Sequence, residues 1–344
     1  MKYLILSPSS CQAKAIARYI RLYNNNAVLF GGILLNEPKP KKKKFFDHYV
    51  RITDKTECLN YDYVLPTNSF STRIYTEWMH EFKVGQVYFN EDSLRVNNKP
   101  WLFSEAQSIN IPIPITWSSY SEIPENANGI FLKPKYEGKK AVRTWVKSKK
   151  KVPSRLRNND LLFQEKIYGK DVFGFGFIAS YGDIKVSLTY REVCSEPKDG
   201  GNAVLITAYK SERIKELSER LIKHINYNGW GLVEWKYCNK RSDFVLMEIN
   251  AKCWASIEFS IRNEKEFINH LFNLAGHNED IKSMIWPKRF MGTFFSNFMV
   301  VFKTVINNKP KLGIDDMRLQ SVFSDLLPIL WKDRIRYFFY KRST

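Results

Sequence analysis

The chain lacks the markers of several protein classes. It has five cysteines in 344 residues, Cys11, Cys58, Cys194, Cys238 and Cys253, an odd and widely spaced set without a CxxC pair. Neither a disulfide framework nor a zinc site is indicated, and a reducing cytoplasm fits best. No window approaches the ~18 uncharged apolar residues of a membrane span. The apolar run Tyr3-Leu4-Ile5-Leu6 is too short for the core of a secretion signal. A cytoplasmic protein is expected, soluble or peripheral at the inner face of the membrane. Internal repeats are absent. Acids are scarce beside bases, 35 against 54, which leaves a formal charge of +19.

That charge attracts polyphosphates, nucleic acid, anionic lipid head groups or acidic glycans, and it says nothing about fold. Without a stacking or groove-reading motif it is poor evidence for nucleic acid, so no specific nucleic-acid partner is expected. Lys39 and Lys41 to Lys44 form one run beside Pro38 and Pro40, readable as a solvated loop or as an anion-binding patch. What is abundant is core material. Hydrophobic residues make up 44%, with 9 Trp, 18 Tyr and 24 Phe, enough for two or three lobes with real cores.

The pattern along the chain predicts a mixed α/β protein of three parts. Tyr3 to Leu6, the helical pattern through Ala13, Ile16, Ala17 and Ile20, and the apolar run Ala27 to Phe30 form a βαβ opening. Tyr63 to Leu65 and Val84 to Phe89 read as further strands, completing a small lobe over residues 1–108. Ile111-Pro112-Ile113-Pro114-Ile115 is an extended connector, because each proline disfavours helix at the residue before it. A second domain over 109–277 carries strands at Ile130 to Lys133, Leu161 to Gln164, Val172 to Ser180, Ile184 to Leu188, Gly231 to Lys236 and Phe244 to Ile249, with a helix over Ser211 to Ile225. In the third part, 278–344, Phe290, Phe294, Phe298 and Phe302 recur every four residues. The stripe predicts an amphipathic helix, either packed on the domain before it or in contact with a membrane surface.

Three stretches carry chemistry. In Phe244-Val245-Leu246-Met247-Glu248-Ile249-Asn250, alternation puts Glu248 and Asn250 on one face of a strand end. A hairpin with Gly231-Leu232-Val233-Glu234-Trp235 would bring Glu234 beside them, and three oxygen donors there suit Mg²⁺; the alternative is unrelated surface acids. Phe131-Leu132-Lys133-Pro134 ends a strand in a lysine that can hold a phosphate as a point charge. Leu161-Leu162-Phe163-Gln164-Glu165-Lys166-Ile167-Tyr168-Gly169-Lys170-Asp171 emits two carboxylates around a glycine turn, suited to an adenine edge and ribose hydroxyls or simply to folding.

The order of these three stretches resembles the ATP-grasp superfamily over roughly residues 1–275. It looks most like the branch with carbamoyl phosphate synthetase-type domains and relatives associated with bacterial surface polysaccharide synthesis. Tyr190-Arg191-Glu192, Gly200-Gly201 and Asn250-Ala251-Lys252-Cys253-Trp254-Ala255-Ser256 agree with it. The resemblance implies a small N-terminal α/β domain, an ATP-grasp domain with a mobile lid at about 129–168, and a helical C-terminal extension. It implies nucleotide contacts from Lys99, Lys133, Gln164, Glu165, Lys166, Ile167 and Asp171: Lys133 on the α/β-phosphates, Glu165 and the Ile167 backbone on adenine, Asp171 on the ribose. Glu234, Glu248 and Asn250 would coordinate Mg²⁺, or Mn²⁺ in its place. Lys252 would stabilise the transferring phosphate, and Arg191 would hold the substrate carboxylate, since a guanidinium binds it bidentately. Two departures stand out: the loop after Lys133 has only Gly138 before Lys139-Lys140, and lysine stands at 252 where relatives often carry arginine, a point charge in place of a fork.

The implied activity is a carboxylate–amine ligase that uses ATP and forms an acyl phosphate. Its substrates would be small molecules, with an amino acid and a uronic acid or acidic glycan the leading pair. The alternative is a non-catalytic ATP-binding or anionic-surface-binding module.

Overall fold

The computed structural model describes residues 1–38, 40, 45–82, 89–137, 144–169, 171–196, 202–285 and 317–319. Several expectations lie outside these: the Lys39/Lys41–Lys44 run, most of the strand at Val84 to Phe89, the Gly138-Lys139-Lys140 loop, Gly200-Gly201 and the phenylalanine stripe from Phe290.

The N-terminal lobe is built on a parallel sheet. Its elements are β1 (Lys2–Leu6), α1 (Cys11–Tyr23), β2 (Val28–Ile33), β3 (His48–Arg51) and β4 (Tyr63–Leu65), with strand order β3-β2-β1-β4. The first turn of α1 is closed by Ser10, whose side chain accepts from the Ala13 N–H, relieving one of the unpaired donors that every helix start exposes. Helices α2 (Ser69–Phe82), α3 (Glu91–Arg95) and α4 (Lys99–Ser108) follow. Asn98 caps α4, and Pro100 in its first turn removes an N–H that would have had no partner.

Next comes a four-stranded antiparallel sheet of β5 (Thr116–Trp117), β6 (Asn128–Pro134), β7 (Thr144–Ser148) and β8 (Leu161–Glu165), in the order β5-β8-β6-β7. It owns a separate small core of Ile123, Ile130, Leu132, Val152, Leu161 and Phe163. The central sheet is larger: β9 (Val172–Ser180), β10 (Asp183–Glu196), β11 (Asn202–Ala208), then helix α5 (Glu212–His224), β12 (Gly229–Cys238), β13 (Asp243–Asn250), helices α6 (Ile257–Asn263) and α7 (Glu266–Phe272), β14 (Ser283–Ile285) and β15 (Met317–Leu319). Its order is β13-β12-β9-β10-β11-β14-β15. The last two strands fall within the stretch expected to be helical, and they extend the sheet beyond β11.

In β9 the sequence Phe173-Gly174-Phe175-Gly176-Phe177 separates the two faces of this sheet. The phenylalanines share a face with Trp235, whose indole N–H donates to Ser218 of α5 at 3.0 Å, so α5 covers that side. The glycines lie on the other face. A Cβ at Gly174 would sit 2.2 Å from the Tyr190 ring, and one at Gly176 would sit 2.6 Å from Trp254. Both positions require glycine because these rings press against the strand where a Cβ would stand.

Candidate functional site

The hairpin of β12 and β13 sets Glu234 directly opposite Glu248 and Leu232 opposite Asn250. Residues in register share a face, so the two acids and the amide converge on the glycine side of the sheet. The Asn250 amide nitrogen donates to Glu234 Oε1 at 2.9 Å and lies 3.5 Å from Glu248 Oε1. Glu248 and Asn250 are both buried. Between the Glu234 and Trp235 rungs the register slips, so that Met247 has no rung of its own. This bulge aims its carbonyl out of the ladder, where it accepts from Lys133 Nζ at 2.8 Å.

Lysines converge on the same place from other elements. Lys99, in the first turn of α4, is only 3% exposed, and its ammonium lies 3.7 Å from Glu248 Oε2. Lys133, also buried, sits 4.8 Å above the Phe103 ring. Lys252 follows β13, and its ammonium is 2.9 Å from Glu137 Oε1. Glu137 also lies 3.4 Å from Lys99. No role for Glu137 follows from the sequence pattern: it is a single acid in a basic loop, and its partners are 38 and 115 residues away. Its loop is pinned to the turn before α4, with Lys99 N–H donating to Lys135 O at 2.9 Å and Glu137 N–H to Asn97 O at 3.1 Å.

Strand parity separates the remaining expected residues. On β8, Gln164 pairs across to Phe131 and Leu162 to Lys133, so Gln164 shares Lys133's face. Its amide nitrogen donates to Thr116 Oγ1 at 2.9 Å, and its amide oxygen is buried without a hydrogen-bond partner. Glu165 has the opposite parity. Its carboxylate accepts from the Ile115 N–H at 2.9 Å and from the Arg241 guanidinium. It ties the connector to the β12–β13 turn. Lys166 lies 3.3 Å over the Trp145 ring centroid, and Ile167 packs with Cys238, Val245 and Met247.

Arg191 and Asp171 form a separate pair, 3.8 Å apart. Arg191 is in register with Phe173 and therefore on the α5 face, opposite Glu234 and Glu248. The structure does not bring it to the cluster, and a carboxylate bound among the lysines cannot reach it without crossing the sheet. Its neighbours Tyr190 and Glu192 do face the site. Tyr190 accepts from the Ser256 hydroxyl at 2.8 Å, and burial pushes the Glu192 carboxyl up to about 7.

No protein-family model matches the sequence, and no curated protein matches it. Solved structures do match its shape. A pyruvate carboxylase from Rhizobium etli superposes on 80% of this chain with a TM-score of 0.61 at 12% identity, although the chain spans only 28% of that protein. An L-amino acid ligase from Bacillus licheniformis superposes on 76% of this chain and 69% of its own, with a TM-score of 0.58 at 11% identity. A protein from Archaeoglobus fulgidus described as of the ATP-grasp superfamily superposes on 81% of this chain and 90% of its own, with a TM-score of 0.56 at 13% identity. This chain has the ATP-grasp fold. The cluster draws Lys133 from the four-stranded sheet and Glu234, Glu248 and Asn250 from the central sheet.

Proposed function

We propose that this chain is an ATP-dependent ligase that activates a carboxylate as an acyl phosphate, releases ADP and phosphate, and joins the acyl group to an amine. One observation carries the reading: on an ATP-grasp sheet, Glu234, Glu248 and Asn250 cluster beside the ammonium group of Lys99, which Glu137 links to that of Lys252. Oxygen donors beside point charges are what a metal-bound triphosphate requires. Among the described residues, no three His, Cys, Asp or Glu side chains form a metal cage by themselves. Two carboxylates plus an amide still fit Mg²⁺ or Mn²⁺, because the amide offers its oxygen after a half turn and these hard ions complete their shells with phosphate and water. Such a metal neutralises the β- and γ-phosphates when bound.

The chain's own groups do the rest. Lys133, steadied by the Met247 carbonyl, reaches the α/β-phosphates, while Lys99 and Lys252 hold the γ-phosphoryl in line with the attacking carboxylate. The unpaired amide oxygen of Gln164 accepts from the adenine amino group, and the Ile167 backbone meets the base. The finer reading pairs an amino acid with a uronic acid of a surface polysaccharide. Its support is the sequence resemblance, the charge of +19 and the presence of an L-amino acid ligase among the neighbours. Peripheral membrane attachment rests on the sequence pattern after Trp286, and co-sedimentation with anionic vesicles tests it. No helix among the described residues is long and apolar enough to cross a membrane.

Product identity tests the reaction. With Mg²⁺ and a matrix of amino acids against uronic acids, ATP should yield ADP and phosphate, and hydroxylamine should convert the intermediate to a hydroxamate when the right carboxylate is supplied without its amine. Formation of AMP overturns the reading. ATP binding without ADP or hydroxamate from any carboxylate favours the non-catalytic module.

A further inference from the structure

Resting on that reading of the lysines as phosphate ligands, we propose that Glu137 is a built-in competitor for the nucleotide's phosphates. Its carboxylate occupies the position between the Lys99 and Lys252 ammonium groups that a phosphate oxygen takes, and nucleotide binding displaces it. The geometry supplies each part of this. Glu137 Oε1 is 2.9 Å from Lys252 Nζ, and Oε2 is 3.4 Å from Lys99 Nζ, so one carboxylate bridges two cations as a phosphate does. Lys99 is among the most buried charges in the molecule, and a buried ammonium requires a close counter-charge. The Glu137 backbone is fixed by its bond to Asn97 and by the neighbouring bond of Lys135 to Lys99. Its side chain keeps 20% of its surface. Displacement is therefore a rotamer change toward solvent and needs no movement of the chain.

The consequence is selectivity. A protein with a charge of +19 draws small anions to every basic cleft, and a carboxylate already seated between the lysines repels any anion that brings only charge. A ligand that also gains adenine and metal contacts can pay for moving it. Orthophosphate and pyrophosphate meet the same opposition with fewer contacts to offset it.

Calorimetric titration of the full chain with ADP, pyrophosphate and adenosine tests this, comparing wild type with Glu137→Gln, which removes the charge and keeps the shape. ADP and pyrophosphate should bind the variant about tenfold tighter or more, the size expected for deleting one like charge a few ångströms from the ligand in a partly screened site. Adenosine affinity should stay unchanged, because adenosine has no phosphate. Glu137→Asp keeps the charge and should stay closer to wild type, and thermal melting verifies that each variant folds. Equal or weaker pyrophosphate and ADP binding by Glu137→Gln overturns the inference alone, provided wild type binds ADP. A parallel change in adenosine affinity also overturns it, since that marks a general distortion. If neither protein binds ADP or adenosine, the ATP reading fails and takes the inference with it.

Discussion

The two faces of the central sheet obey opposite rules although the same strands compose both. On the α5 face Phe173, Phe175, Phe177 and Trp235 pack against Ile214, Leu217, Leu221 and Ile222, all buried. On the other face the same strands show Gly174, Gly176, Glu234, Glu248, Asn250 and Glu192, with Tyr190 and Trp254 laid across the glycines. Residue parity thus divides the work: odd positions of β9 pack on the α5 side, and the glycines at even positions seat Tyr190 and Trp254 beside the acid cluster. Stability and chemistry should then be separable by single substitutions one residue apart.

The largest effect belongs to the site face. Glu248→Ala should lower ADP formation by roughly 10³-fold, the scale seen when one preorganised electrostatic group is removed from an active site. Thermal stability should fall only modestly, because Lys99 keeps Glu137 as a counter-charge and no apolar core contact is lost. Glu234→Ala should act in the same direction more mildly. Turnover near wild type would sink the site, and a large fall in melting temperature would erase the division between faces.

Phe175→Ala tests the other side. The ring is buried and stacked 6.2 Å from Phe177, and its loss should cost about 3–5 kcal/mol of unfolding free energy. At temperatures where the variant remains folded, its ADP affinity should match wild type. Weakened binding with an unchanged denaturation midpoint would mean that the faces are coupled.

The same parity explains what could be read from the residues alone. Glu248-Ile249-Asn250 announces a shared face by its spacing, and a hairpin pairing brings Glu234 to it, so that convergence was legible. For Arg191 the spacing was no help. In Tyr190-Arg191-Glu192 either parity can face the site, and the choice is made by register with Gly174 and Phe173 on a neighbouring strand. The placement of Glu165 was hidden for the same reason: Gln164, one residue earlier, shares Lys133's face, while Glu165 turns to Ile115 and Arg241. Glu137 was hidden differently, because its meaning comes from Lys99 and Lys252, which no local pattern links to it. The overall α/β order was readable from apolar periodicity. The short β14 and β15 were not, since three residues give no period.

The smallest effect sharpens the comparison by pH. Glu192 lies on the site face, two residues from Tyr190, and burial pushes its carboxyl up to about 7 from an ordinary value of 4.5. The folded state therefore holds the proton more tightly than the unfolded chain. Its contribution to stability is complete below about pH 4.5 and is lost as pH rises through about 7. On the same row lie Lys236, two strands away, and Val172 between them, so the nearest cation in register is too distant to neutralise the carboxylate directly. Because Glu192 is only half-buried, the loss should amount to about 1–2 kcal/mol after screening. Glu192→Gln stays neutral throughout and should remove it. Melting temperatures of wild type and variant should nearly coincide at pH 5 and diverge by pH 8, with the variant higher. A difference that is constant across this range would show that Glu192 ionises freely, and the site face would then be as wet at β10 as any exposed surface.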